Sequence, residues 1–134
     1  MLHTGMEGRL ERVVTDEMTA RACGSGTLEV FATPAMIALA EETAWQSVQG
    51  ELEEGQGTVG TKLDIAHIAA TPVGMKVRCE SLLTQIDRRR LVFKIEVYDE
   101  AGKIGSGTHE RFIVDLERFQ AKADGRSAVT VAAE

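Results

Sequence analysis

The segment from Thr33 to Val48 is apolar on nearly every side, and it constrains the fold more than any other feature of the chain. Its alanines favour a helix and permit close approach by another surface. Pro34 suits the first helical position, where no amide hydrogen is needed, and Thr33 is a suitable N-cap. Gly50 is a suitable stop. Because apolar residues occur almost all round this predicted helix, we expect other elements to wrap it.

Most of the remaining chain alternates between apolar and polar residues, as half-buried strands do. The alternation and the turn residues between the runs predict five strands, over residues 8–14, 59–70, 75–86, 91–97 and 103–116. One strand, one helix and then four strands joined by short turns indicate an α+β domain with an antiparallel sheet. A hotdog fold, in which a curled antiparallel sheet of about five strands wraps one long central helix, is one candidate among several such folds.

The chain has 134 residues, which is the length of one domain with a single core. We expect this domain to span residues 1–122. Residues 123–134 are small and polar, which predicts a flexible C-terminal tail.

Composition excludes several classes of function. The net charge of −6 argues against a nucleic-acid partner, because phosphate binding needs a basic face. No apolar run approaches the roughly 18–20 residues that span a bilayer, and the N-terminus has no signal-peptide core. Cys23 and Cys79 are far apart in the sequence, which favours reduced thiols in a cytoplasmic protein over a disulfide. His3, His67 and His109 lack the spacing of metal ligands, so we expect no metal site.

Three segments share the order and spacing of a known enzyme family. They are Val30–Thr33 with Glu41 eight residues later; Gly60-Thr61 with His67 and Ala69–Gly74; and Gly105–Arg111 followed by Leu116–Lys122. With these segments, the chain from about Gly5 to Lys122 resembles the bacterial fluoroacetyl-CoA thioesterase family of hotdog-fold enzymes.

The resemblance implies a function and a set of site residues. It implies hydrolysis of a small or medium acyl-CoA, with Thr33, Glu41 and His67 catalytic and with Gly60 and Arg111 at the substrate. It also implies a homodimer, and higher assembly stays open, with active sites at the subunit interface. Coenzyme A would be part of the substrate, and no separate cofactor is implied.

The chemistry of these residue types agrees with that reaction. Thioester hydrolysis needs a nucleophile, a group that moves protons and donors for the oxyanion. His67 suits proton transfer, because an ordinary imidazole has a pKa of about 6.5. Glu41 would orient that ring or activate water, and Thr33 would attack or position the thioester. Both an acyl-threonine intermediate and direct attack by water stay open.

Helix geometry argues against a compact triad. Eight helical residues place Thr33 and Glu41 roughly 12 Å apart along the axis, at about 1.5 Å per residue. Joint action therefore needs long side-chain reach, a bridging group or a partner subunit. Taken singly, each residue also has a structural interpretation: Thr33 as a helix cap, Glu41 on a solvated face and His67 in a core.

One segment departs from the family pattern. Residues 22–29, just before the predicted helix, are rich in glycine, whereas the fluoroacetyl enzyme has an aromatic-rich lid there. Thr27 occupies the position where a gating phenylalanine is expected, so we expect an open pocket without selectivity for a fluorinated acyl group. Two other functions stay open at this point: a hotdog enoyl-CoA hydratase or dehydratase, and a non-catalytic acyl-CoA binding module.

Overall fold

A computed structural model describes the backbone of residues 1–133 and the side chains of residues 1–127. The strands are β1 (Glu7–Val13), β2 (Gln56–His67), β3 (Lys76–Asp87), β4 (Arg90–Asp99) and β5 (Gly102–Asp115). The helices are α1 (Ala20–Cys23), α2 (Thr33–Gln49) and α3 (Leu116–Ala133), with a 3₁₀ turn at Asp16–Met18 before α1. The predicted order of a strand, a long helix and four strands is confirmed.

The five strands form one antiparallel sheet in the order β1-β3-β4-β5-β2. Consecutive hairpins join β3, β4 and β5, and β2 lies at one edge beside β5. Helix α2 contacts both edge strands as well as β3 and β4, so the sheet curves around it. The helix and the neighbouring strands β2 and β5 carry the five predicted site residues.

The core lies between α2 and the inner face of the sheet. Alternate residues of each central strand point inward, as strand geometry requires. The buried positions of β3 and β4 are Val77, Cys79, Ser81, Leu83, Leu91, Phe93, Ile95 and Val97. The helix contributes Met36, Leu39, Ala40, Thr43, Ala44 and Val48.

The sheet wraps α2, as expected, but within the single chain it covers only one face of the helix. Its buried residues lie on one side, whereas Ala38 is exposed and Trp45 is 38% exposed on the other. The physical reason is that the curved sheet covers one face of the helix and leaves a partly apolar face open.

The N-terminus of α2 differs from the sequence prediction in one respect. The N-cap is Ala32, in an extended conformation, and no side chain caps the helix. Thr33 is instead the first helical residue, so its hydroxyl is available for another partner. Sequence alone did not separate these two positions, because threonine before proline fits both.

The C-terminal segment is helical rather than irregular. Helix α3 begins at Leu116, directly after β5, and continues through Ala133, whereas the sequence predicted a tail from residue 123. Side chains 117–127 are exposed. The flexibility of this segment stays a prediction, and Glu134 lies outside the described residues. Among residues 1–133, no helix is long and apolar enough to cross a membrane.

Glycines in β5 allow neighbouring elements to approach closely. A Cβ on Gly105 would lie 2.9 Å from Met36 Sδ, and one on Gly107 would lie 2.7 Å from Ile65 Cα and against the Asp64 carbonyl. The Gly107 contacts are backbone atoms of β2, which cannot move without disturbing the strand pair.

We therefore expect Gly107→Ala to lower the free energy of unfolding by about 1–3 kcal/mol, because overpacking forces backbone shifts. Chemical denaturation measures this change. Gly50→Ala is the matched control, since a Cβ at Gly50 meets nothing within 4 Å. Equal stability of the two variants would contradict the close approach of β2 to β5.

Candidate active site

Thr33 and His67 meet at the N-terminus of α2. Thr33 is the first residue of the helix and His67 the last residue of β2, and their side chains are joined by a hydrogen bond of 2.8 Å between Oγ1 and Nδ1. Because the hydroxyl makes this bond instead of capping α2, the first amides of the helix have no side-chain cap. A hydroxyl beside an imidazole and free helix amides can provide a nucleophile, a base and anion donors.

The surroundings of His67 favour the neutral form of its ring. The ring of Phe31 meets it edge-on, with 6.4 Å between ring centroids. Burial lowers the pKa of His67, and a hydrogen-bonding contribution from the backbone of Ala69 partly opposes this shift. Nε2 of His67 is buried and makes no hydrogen bond of ordinary geometry in the described part of the chain. One ring nitrogen therefore faces Thr33, and the other can exchange a proton with a further group.

A groove of about 310 Å³ opens beside this pair. Its lining consists of Ala20, Ser25, Val30, Phe31, Thr33, His67, Ile68, Ala69 and Ala70. Of the exposed residues 22–29 before α2, Ser25 lies in this lining. Ser25, Thr33 and His67 make the lining partly polar, and the apolar part, which includes Val30, Phe31 and Ile68, suits an acyl group.

Glu41 lies in a second group of side chains, farther along α2. Its Oε2 is 3.4 Å from Nη1 of Arg111, whose side chain is 7% exposed against 38% for Glu41. Thr58 holds the other side of the guanidinium: Nε donates to its hydroxyl at 2.7 Å, and Nη2 donates to its carbonyl at 2.9 Å. Burial lowers the pKa of Arg111 from its ordinary value, and the charge of Glu41 opposes that shift.

Gly60 leaves the space that the Glu41 carboxylate occupies. A Cβ on Gly60 would lie 2.5 Å from Oε2 of Glu41 and 3.3 Å from Nη1 of Arg111. The sequence comparison placed Gly60 against substrate, and that role stays a prediction. The structure adds a separate reason for glycine, because any larger residue would displace Glu41.

The five predicted site residues thus form two groups in one chain. Thr33 and His67 make one group, and Glu41, Gly60 and Arg111 make the other. No hydrogen bond joins the two groups within the described residues. Thr33 and Glu41 therefore lie apart along α2, as estimated from the sequence, and a compact triad does not form in a single chain.

Two further residues of the second group, Thr58 and His109, contact Arg111, and the resemblance assigned neither of them a role. His109 is fully buried and contacts Arg111 through Nε2 at 3.2 Å. Its place two residues before Arg111 on one face of a strand was the available signal. Thr58 gave none, because it contacts Arg111 across 53 residues of sequence.

Other features do not mark a competing site. A larger cavity of about 590 Å³ lies along β1, β3 and β4, lined chiefly by charged side chains, and none of the five predicted residues borders it. Residues 1–133 hold no group of three potential ligands arranged to bind a metal. Cys23 is exposed and Cys79 is buried, both as free thiols, and burial raises the pKa of Cys79 to about 11.

Comparison with known proteins gives a consistent answer. A sequence profile of the fluoroacetyl-CoA-specific thioesterase family matches residues 14–117. The fluoroacetyl-CoA thioesterase of Streptantibioticus cattleyicolor is 42% identical over 94 residues, which cover 70% of this chain and 68% of that protein.

Two solved structures share the whole fold. The fluoroacetyl-CoA thioesterase FlK is 34% identical, with a TM-score of 0.89 over 93% of this chain and 97% of that one. A thioesterase superfamily protein from Thermus thermophilus is 30% identical, with a TM-score of 0.89 over 100% of this chain and 98% of that one.

These comparisons identify the class first. The curled sheet around one long helix is a hotdog fold, as predicted, and the chain is a thioester hydrolase of the acyl-CoA thioesterase class. Within that class, the chain belongs to the fluoroacetyl-CoA-specific thioesterase family.

We expect the His67 imidazole to titrate below 6.5, the ordinary histidine value, because burial disfavours its charged form. NMR titration of the ring measures the midpoint. Thr33→Val removes the hydroxyl at nearly constant volume and should change the Nδ1 chemical shift. A midpoint at or above the ordinary value, or an Nδ1 shift unaffected by Thr33→Val, would contradict this environment.

Proposed function

We propose that this chain hydrolyses the thioester of a small or medium acyl-CoA to the free acid and coenzyme A, using Thr33, Glu41 and His67. The observation that carries the proposal is the 2.8 Å hydrogen bond between Thr33 and His67 at an uncapped helix N-terminus. This pair lies beside a groove of about 310 Å³, where Val30, Phe31 and Ile68 provide apolar surface for an acyl group.

The pair can perform the first step of thioester cleavage. A neutral His67 takes the proton from the attacking hydroxyl through Nδ1, and the new oxygen–carbon bond forms at the thioester carbonyl. The amides of Thr33 and Ala35 would stabilise the oxyanion at the start of α2, since Pro34 has no N–H and that of Met36 donates to Ala32, and the positive end of the helix dipole lies behind them. The carbon–sulfur bond then breaks, and His67 returns the proton to the coenzyme A thiolate.

Two routes use this geometry and differ in the attacking oxygen. In the first route, Thr33 attacks the thioester and forms an acyl-threonine, which water then hydrolyses. In the second route, Thr33 positions a water molecule that attacks the thioester directly. Mass spectrometry of acid-quenched enzyme separates the routes, since only the first adds the acyl mass to Thr33.

Glu41 contributes from the second group. Its carboxylate, held by Arg111 at 3.4 Å beside Gly60, can orient a water or an imidazolium. Gly60 and Arg111 would border the substrate there. No hydrogen bond joins Glu41 to His67 within the described residues of one chain, so joint action needs a bridging substrate or a subunit boundary at which the two groups meet.

The free edge of β2 supports a homodimer as that boundary. This strand has 12 residues, and one side of it has no neighbouring strand in the described sheet. Leu63, near its middle, is 41% exposed. A long edge strand without a neighbour favours pairing with another strand, and here Leu63 is exposed between the charged residues Lys62 and Asp64. Antiparallel pairing of two copies of β2 would also bring the open faces of the two α2 helices toward a common axis.

Such pairing would unite the two groups of the site. Gly60 and His67 are equidistant in sequence from the point between Leu63 and Asp64. A two-fold axis at that point sets Gly60 and Glu41 of one chain close to the partner subunit's His67. Each dimer would then hold two complete sites, each shared between subunits.

The open segment before α2 bears on the choice of acyl group. Residues 22–29 contain no aromatic side chain, and the residues on either side of Thr27 are exposed as well. An open groove of this kind would accept several short acyl groups and would not select a fluorinated one.

The remaining assignments follow from the same chemistry. The reaction needs no group beyond the coenzyme A carried by the substrate, because every step uses side chains, backbone amides and water. Two free thiols and an acidic surface suit a cytoplasmic enzyme that acts without nucleic acid or membrane partners.

We expect Thr33→Ala, Glu41→Gln and His67→Ala each to lower kcat/KM for thiol release by about 100-fold or more, as loss of a general base or nucleophile does. A thiol-detecting dye follows release across acetyl, medium-chain and aryl CoA esters. Glu42→Gln is the matched control for Glu41→Gln, because Glu42 pairs with Arg12 instead. Failure of the unaltered protein to release thiol from any ester would overturn the proposed function.

We expect Leu63→Glu to shift the protein toward monomers and to remove activity, since like charges would face each other across the two-fold axis. Sedimentation velocity measures the assembly. Val13→Glu places the same charge on β1, the other edge strand, where the side chain is 50% exposed, and should leave the dimer intact. A Leu63→Glu variant that stays dimeric and active would rule out the β2 interface.

A further inference from the structure

His109 is a buried titratable side chain that the catalytic scheme leaves unused. It points inward from β5, has no exposed surface, and its ring centroid lies 6.2 Å from that of Phe93. Both ring nitrogens have partners: Nδ1 is 2.8 Å from the Lys62 carbonyl, and Nε2 is 3.2 Å from Nη1 of Arg111.

These two partners allow only one form of the ring. A carbonyl can only accept a hydrogen bond and a guanidinium can only donate one. His109 therefore carries its proton on Nδ1 and presents the lone pair of Nε2 to Arg111. Burial lowers the pKa of His109 and the charge of Arg111 acts in the same direction, while the Lys62 carbonyl and the carboxylates of Glu41 and Glu110 oppose them.

On one side, His109 determines the position of Nη1 in the Arg111 guanidinium. Thr58 fixes Nε and Nη2 of Arg111, whereas Nη1 lies between Glu41 at 3.4 Å and His109 at 3.2 Å. Without the Nε2 acceptor, Nη1 would keep a buried N–H with no partner on that side, and the guanidinium would shift from its present place beside Glu41.

On the other side, His109 holds β2 where the strand is irregular. The register between β2 and β5 shifts between Gly60 and Lys62. Two bonds from β2 to β5 flank this irregularity, from His109 Nδ1 to the Lys62 carbonyl and from Thr61 Oγ1 to the Glu110 carbonyl. A Cβ on Gly60 would lie 3.4 Å from Cε1 of His109, so the ring also borders the space that Glu41 occupies.

We propose that His109 is a positioning residue, whose neutral imidazole holds Arg111 against Glu41 and fixes the backbone from Gly60 to Lys62. This inference rests on the proposed function, because it gives His109 a task in placing a catalytic carboxylate. His109 itself touches no reacting atom and acts through Arg111 and β2.

The first test compares two substitutions at this position. His109→Phe keeps the ring volume but removes both hydrogen bonds, whereas His109→Gln keeps one donor and one acceptor. We expect His109→Phe to lower kcat by about 10- to 100-fold, the cost of misplacing a catalytic group by about 1 Å, with a smaller change in KM. His109→Gln should have a kcat about tenfold higher than that of His109→Phe.

Val97→Ala is the control for simple destabilisation. Val97 is fully buried on the inner face of β4 and lies outside the site, so this variant should lose stability and keep kcat. Wild-type kcat in His109→Phe would overturn the proposal. So would equal losses of kcat in His109→Phe and His109→Gln, or a loss of kcat in Val97→Ala that matches its loss of stability.

The second test needs no activity. Nitrogen NMR of the unliganded protein should show His109 as a single neutral tautomer with the proton on Nδ1, at pH values where an ordinary histidine is charged. A proton on Nε2, or a charged ring at neutral pH, would overturn the proposal even if thioesterase activity is found. Conversely, the expected tautomer in a protein without thiol release would refute the proposed function alone.

Discussion

The position of α2 against the concave face of the sheet determines where the candidate site residues lie. The helix is held from Met36 to Val48 by the inner face of the strands. Its first residue therefore meets the end of β2 at His67, and its third turn meets Gly60 and Arg111. Because a helix is rigid on this scale, the backbones of Thr33 and Glu41 keep their separation along its axis.

This constraint explains why the site is divided. In the proposed reaction, the Thr33–His67 pair would provide the hydroxyl and the base, and the first amides of α2 would bind the oxyanion of the tetrahedral intermediate. Glu41 is held elsewhere by the buried Arg111, which in turn is bonded to Thr58 and to the buried His109. A second copy of β2 beside the first would complete two sites at once, so catalysis and assembly would depend on the same strand.

Sequence periodicity was sufficient to predict the elements and their order, whereas the motif resemblance selected the hotdog fold and neither predicted the contacts. Alternation in β3, β4 and β5 and the apolar segment of α2 each follow from local patterns, and their order is correct. The exposed face of α2 was not predictable, because an apolar stripe looks the same whether the sheet or a partner covers it.

The site shows the same division between local and long-range information. The motif resemblance selected the Thr33–His67 pair, which the structure joins. The assignment of Thr33 as N-cap was wrong, because its hydroxyl bonds to His67 and Ala32 is the N-cap. That bond joins residues distant in sequence, so no local pattern predicts it. The bond from Arg111 to Glu41 spans 70 residues, and no local pattern carries it.

The central claim is that each complete site takes His67 from one subunit and Glu41 from the other. Heterodimers of His67→Ala with Glu41→Gln, isolated with two different affinity tags, test it most directly. One site in each such dimer keeps both residues, so we expect thiol release at about half the wild-type rate from two chains that are inactive alone. Heterodimers as inactive as the parent variants would show that His67 and Glu41 act within one chain, and would contradict the shared site.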